Sequence, residues 1–166
     1  MNHALHRQSL TLVQDAPFEL GENPCFVGPR CFRATNVSSD EAELVFAPYM
    51  ALLLGGSSIV IGNNPESGEI ETITTQVDRA SAVVCATYNG HLNVGQIRLV
   101  NALAAKKPVL CIALRNPYDL ALVDGHIRSI AAYAYTKPVF LALAEMLRDQ
   151  WVPEGRLSVS LGGKHA

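Results

Sequence analysis

The stretch Val109-Leu-Cys-Ile-Ala-Leu-Arg-Asn-Pro-Tyr-Asp-Leu120 decides the fold. Its first six residues, Val109 to Leu114, show no polar alternation, as expected of a strand covered on both faces. Arg115, Asn116, Tyr118 and Asp119 then leave that strand in a Pro-bent loop, where an open α/β sheet places its ligand or partner surface. Working outward, comparable apolar runs stand at Cys25-Phe-Val27, Ser58-Ile-Val-Ile61, Ala82-Val-Val-Cys-Ala86 and Ile130-Ala-Ala-Tyr-Ala134. Between them the pattern predicts helices over 40–54, 67–80, 93–106 and 138–150, with a short helical turn near 118–123. Strand and helix in alternation imply right-handed crossovers and an α/β fold. The expected architecture is a flavodoxin-like, doubly wound three-layer sandwich with a mainly parallel sheet of about five strands.

Several boundaries carry their own chemistry. Asn93 followed by Gln96 fits a capping box, and Thr136 fits an N-cap with Pro138 in the first turn. Pro48 is expected to bend or interrupt its helix. The tail from Val152 to Leu161 reads as a turn and a final edge strand, with Gly162 to Ala166 fraying beyond it. No internal repeat or low-complexity linker divides the chain, so residues 1–166 are expected to form a single domain.

With 49% hydrophobic residues among 166, the chain can bury a full core. A net charge of −2, no basic run and sparse aromatic residues argue against a nucleic-acid partner. Neither glycine-rich phosphate motif occurs, and Gly55-Gly56-Ser57-Ser58 precedes a strand instead of opening a helix, so no cofactor is expected. The N-terminus has neither the basic start nor the apolar centre of a secretory signal. The uncharged stretch Leu44 to Pro65 is long enough for a membrane span, but Pro48 and the paired glycines break it, so no membrane partner is expected. Cys25, Cys31, Cys85 and Cys111 form no C-x-x-C pair and have no histidine at metal-ligand spacing. They read as reduced thiols in a cytoplasmic, reducing compartment with no metal, although Cys25 and Cys31 are close enough to leave a disulfide open.

Arg115-Asn-Pro-Tyr-Asp119 after an apolar strand, the Ala-Tyr-Ala-Tyr run at Ala132 to Tyr135, and Pro153-Glu-Gly-Arg-Leu157 followed by Val159-Ser160 resemble the C-terminal domain of family 3 glycoside hydrolases. The flavour is that of the bacterial β-N-acetylglucosaminidases, which trim cell-wall fragments. The opening segment His6 to Asp15 resembles the helix-to-strand entry of that domain, Phe26-Val-Gly-Pro29 its first core strand, and Thr87-Tyr-Asn89 with Gly95-Gln96 its middle. Ser158, where the family usually has a proline, and Cys25, in a usually aliphatic strand, depart from the pattern.

The resemblance implies chemistry that this chain does not carry. In those enzymes the nucleophilic aspartate, and in the N-acetylglucosaminidase branch a His-Asp acid/base pair, belong to an N-terminal (β/α)8 barrel. No Lys-His-Phe-Pro-Gly-His-like segment and no Ser-Asp-Asp-like strand occurs here. Retaining glycoside hydrolysis commonly needs two carboxylates about 5 Å apart, and the sequence offers no persuasive pair. Other branches supply an acid/base glutamate from the C-terminal domain. The candidates would be Glu66, Glu69 and Glu71, which read better as acidic residues favouring a helix N-terminus.

The resemblance implies a non-catalytic accessory domain that packs on or completes a (β/α)8 glycosidase domain, in cis or in trans. A face left without that cover would drive self-association. The candidate binding or interdomain surface is Tyr88, Asn89, His91, Arg115, Asn116, Tyr118 and Asp119. His91, in a loop after a strand, could meet Asp119 at the same sheet edge, although an exposed loop histidine is the simpler reading. Two other functions stay open: an enzyme with a site around His91 and Asp119, and a stand-alone carbohydrate or small-ligand binding module.

Overall fold

The computed structural model describes residues 8, 10–30, 43–157 and 161. Six strands form one sheet in the order β1-β6-β5-β4-β2-β3: β1 (Thr11–Gln14), β2 (Cys25–Pro29), β3 (Ser57–Ile61), β4 (Val83–Thr87), β5 (Val109–Ala113) and β6 (Arg128–Ala131). All neighbours pair parallel except β1, which runs antiparallel to β6. Strand order reverses between β2 and β4, and such a switch point opens a crevice at the carboxyl ends of the strands.

The runs without polar alternation are the central strands, and every residue of β2, β4 and β5 is buried. Their alternation is sorted by face. Val27, Cys85 and Cys111 pack with α2 (Ser67–Gln76) and α3 (Val94–Ala104), while Phe26, Val84 and Leu110 pack with α1 (Phe46–Leu54) and α4 (Lys137–Asp149). Helices therefore cover both faces, as expected of a doubly wound α/β sheet.

The strand count differs from the expected five because of β1. Its four residues are too short for a periodic signal, and Thr11-Leu-Val-Gln14 joins the sheet through pairs such as Thr11 with Ala131. The last strand begins at Arg128, two residues before the expected start. Arg128 reaches the Asp15 carboxylate at the strand's entry, and the buried Ser129 satisfies its hydroxyl on the Ile127 carbonyl at 3.1 Å. Strand geometry also ends sooner, because Tyr133 adopts a left-handed φ of 63°.

Pro48 neither bends nor interrupts its helix. The described helix starts at Phe46, so Pro48 sits in the first turn, where its missing N–H would have had no partner. Residues 40–42, the earlier part of the expected helix, lie outside the described residues. Residues 151–157 take no regular structure, so the tail is not an edge strand there, and Gly155 N–H instead donates to the Leu10 carbonyl at 3.0 Å. Val159, Ser160 and the residues from 162 onward lie outside the described set, as do His6 and Cys31.

Two expected caps are absent. Neither Asn93 nor Thr136 makes a side-chain capping bond. Asn93 donates to the Asn89 carbonyl at 3.1 Å, and Gln96 is drawn into a different task at the candidate site. No described helix is long and apolar enough to cross a membrane.

Candidate functional site

Two adjacent parallel strands, β4 and β5, release their loops side by side, and all seven sequence-selected residues lie on those loops. Asp119 is at the centre. It falls in a short 3-10 helix, Pro117–Ala121, capped by Asn116, whose Oδ1 accepts the Tyr118 N–H at 3.0 Å. Asn116 thus forms the turn, whereas Asp119 is fully buried.

A buried carboxylate must be supplied with donors. Asp119 Oδ2 accepts the Thr87 hydroxyl at 2.7 Å, and Oδ1 accepts the His91 backbone N–H at 2.8 Å. The same Oδ1 stands 2.8 Å from His91 Nδ1. Because a carboxylate only accepts, Nδ1 is the donor in this contact. Gly90 makes this closure sterically feasible, since a Cβ there would lie 3.3 Å from the Asp119 carboxyl carbon and 3.0 Å from Ile97. Beneath the pair, burial first, then Cys85 and the Asp119 carboxylate, push the Cys111 thiol well above its ordinary value.

Gln96 braces the same loop. Fully buried at the start of α3, it accepts the Tyr88 N–H at 2.8 Å and donates to the carbonyls of Asn63 at 2.6 Å and Tyr88 at 3.1 Å. Asn64 caps the helix from outside, its Oδ1 accepting the Gly95 N–H at 2.8 Å. Tyr88 in turn carries Arg115, which donates to its hydroxyl at 3.0 Å and stands 5.6 Å from its ring centroid. The Tyr88 ring meets Tyr135 edge-on at 5.7 Å, and the Tyr135 hydroxyl accepts the Phe46 N–H and donates to the Pro29 carbonyl. Asn89 takes a left-handed φ of 55° that turns the chain into Gly90.

The structure therefore joins His91 to Asp119 and Arg115 to Tyr88. His91 is partly buried and paired, which corrects the exposed-loop reading. Glu66, Glu69 and Glu71 are exposed, and Glu69 accepts the Gly62 N–H at 3.4 Å. Thr87, Gly90, Gln96 and Asn64 escaped sequence reasoning as site-builders. The available signal was polar or glycine residues at the ends of otherwise apolar runs.

Beside the exposed Arg115, these loops also turn apolar side chains outward. Leu92 is 72% exposed, Tyr118 43% and Leu122 46%, with Tyr118 packed edge-on to the His91 ring at 6.4 Å. A hollow of about 680 Å³, lined by Phe18, Leu54, Arg128, Met146 and Trp151, opens at the opposite end of the sheet. Among the described residues no group of three or more His, Cys, Asp or Glu side chains could hold a metal ion.

No protein-family model and no curated protein matches the sequence. Solved structures do match its fold. A glycoside hydrolase family 3 β-N-acetylglucosaminidase from Paenibacillus sp. FPU-7 superposes with a TM-score of 0.79 at 25% identity, covering 96% of this chain and 32% of that enzyme. Two further neighbours, a fungal multi-domain β-N-acetylglucosaminidase and an exo-β-xylosidase, are also family 3 enzymes. A β-glucoside phosphorylase matches over 96% of this chain and 31% of its own, at 17% identity and a TM-score of 0.59. A Listeria innocua β-glucosidase matches over 91% and 25%, at 13% identity and 0.63. This chain spans about a third or less of the length of each of these three enzymes.

Proposed function

We propose that this chain is the C-terminal α/β domain of a family 3 glycosidase, a single non-catalytic unit that packs its strand-end face against a (β/α)8 domain. The observation that carries this reading is the division of labour at the ends of β4 and β5. Polar groups there are satisfied by one another, while Leu92, Tyr118 and Leu122 face outward. Apolar clusters rimmed by polar residues are the usual mark of a macromolecular contact. Chain direction agrees: Thr11 pairs with Ala131, so the polypeptide enters the sheet at this same end, and a domain preceding residue 10 would be delivered to this face.

A second reading is favoured by the 2.8 Å contact between His91 and Asp119, which has the geometry of a base held by its orienting carboxylate. It ranks lower because the aliphatic hydroxyl bonded into the cluster, that of Thr87, is fully buried and donates to Asp119 Oδ2, so it is not placed as a nucleophile for His91. Assays of the purified chain on aryl N-acetylglucosaminide and aryl glucoside separate the two. The docking reading predicts no turnover. Turnover that disappears in His91→Ala would replace it with the enzymatic one.

A further inference from the structure

The two edges of the sheet are finished differently. At the β1 edge, the register shifts between Leu12 and Gln14, and the tail lies against the strand's entry. A Cβ on Gly155 would come within 2.5 Å of the Gln8 and Leu10 carbonyl oxygens. At the other edge, β3 pairs with β2 through five consecutive residues with no bulge, and stands last in the sheet. Ser57-Ser-Ile-Val-Ile61 holds no charge and no proline. Val60 is 37% exposed on this strand, and Leu52 is 82% exposed on α1, which packs beside it. Natural edge strands are blocked by lysine, proline, bulges or a covering segment, and β3 shows none of these devices among the described residues.

We propose that β3 is a self-pairing edge, joining two copies of this chain through an antiparallel β3–β3 ladder about a twofold axis at Ile59. An uncharged strand has no charge pattern with which to select a different partner. Pairing with itself costs no like-charge repulsion and brings the Leu52 and Val60 flank of one copy beside the same flank of the other. Because β3 is the edge left unblocked among the described residues, each copy spends it in the pair and the assembly closes at two. This surface is the side edge of the sheet, distinct from the strand-end face, so either assignment can fail without the other.

Sedimentation of the full chain between about 1 and about 300 μM tests the proposal. The expected result is a monomer–dimer equilibrium with no larger species, together with hydrogen exchange at the β3 amides that slows as concentration rises. Val60→Lys should weaken the dimer by about tenfold or more while leaving the denaturation midpoint of the dilute monomer unchanged. Leu52→Lys serves the same purpose if that variant does not fold. Leu92→Asp should leave the dimer intact. A chain that stays monomeric throughout, a dimer indifferent to both lysine variants, or one dissolved by Leu92→Asp would overturn the proposal.

Discussion

Asp119 grips His91 twice through a single oxygen, Oδ1 lying 2.8 Å from both the backbone nitrogen and ring Nδ1. The double contact closes the loop after β4 onto the 3-10 helix after β5, with Thr87 holding the other carboxylate oxygen. It shapes the ground on which Leu92 and Tyr118 stand.

Removing that carboxylate strands a buried hydroxyl and a backbone N–H, so Asp119→Ala should cost about 3 kcal/mol of unfolding free energy. His91→Ala leaves its backbone donor in place and should cost about 1 kcal/mol. Urea denaturation checks both values. Equal losses in the two variants would mean that the ring, and not the buried carboxylate, organises the loop.

Gln96 ties the loop after β4 to the loop after β3 with three hydrogen bonds. Gln96→Leu keeps the volume and abandons the Tyr88 N–H and two carbonyls, so a loss of about 2–3 kcal/mol is expected. Amide exchange at Tyr88 should accelerate in the same variant. A near-neutral substitution would show that water replaces the side chain readily.

Cys25, Cys85 and Cys111 are buried free thiols. Burial, then Cys25, pushes Cys85 up to about 12 from 9.0. Burial also raises Cys25, opposed by a Ser57 hydrogen bond. A thiol whose folded pKa exceeds its unfolded one stays protonated in the native state while the unfolded chain ionises. Stability is therefore full below pH 9 and falls as pH rises from 9 towards 12. Cys85→Ala should flatten that alkaline decline. In a Cys31→Ser background, a thiol reagent should label the remaining cysteines only at the rate of unfolding.

The central strands were legible because a strand buried on both faces needs an unbroken apolar run, and Val83 to Ala86 and Val109 to Leu114 are such runs. Their adjacency also made the meeting of His91 and Asp119 foreseeable. The burial of Asp119 was not, since an Asp two residues after a proline has the local signature of an exposed turn. Gln96 misled for a similar reason: three residues after Asn93 it matches a capping box, but the Tyr88 peptide and Asn63 carbonyl offer it partners that local spacing does not reveal. Pro48 is tolerated because it falls in the first turn of the described helix, and a proline's effect depends on its distance from the helix start, which local sequence does not mark here.

The docking face yields a prediction in which stability and association part company. Leu92 and Tyr118 are substantially exposed, so Leu92→Asp and Tyr118→Asp should change unfolding free energy by less than about 0.5 kcal/mol. Each should nevertheless weaken association with a (β/α)8 glycosidase domain by about tenfold or more, because each would bury a carboxylate in the contact.

The most direct measurement is titration calorimetry of the purified chain against a separately purified (β/α)8 domain of a family 3 β-N-acetylglucosaminidase, with wild type and Tyr118→Asp side by side. Docking through the strand-end face predicts saturable one-to-one binding by the wild type, with a negative heat-capacity change, and its loss in the variant. Binding that is indifferent to Tyr118→Asp and to Leu92→Asp would contradict it.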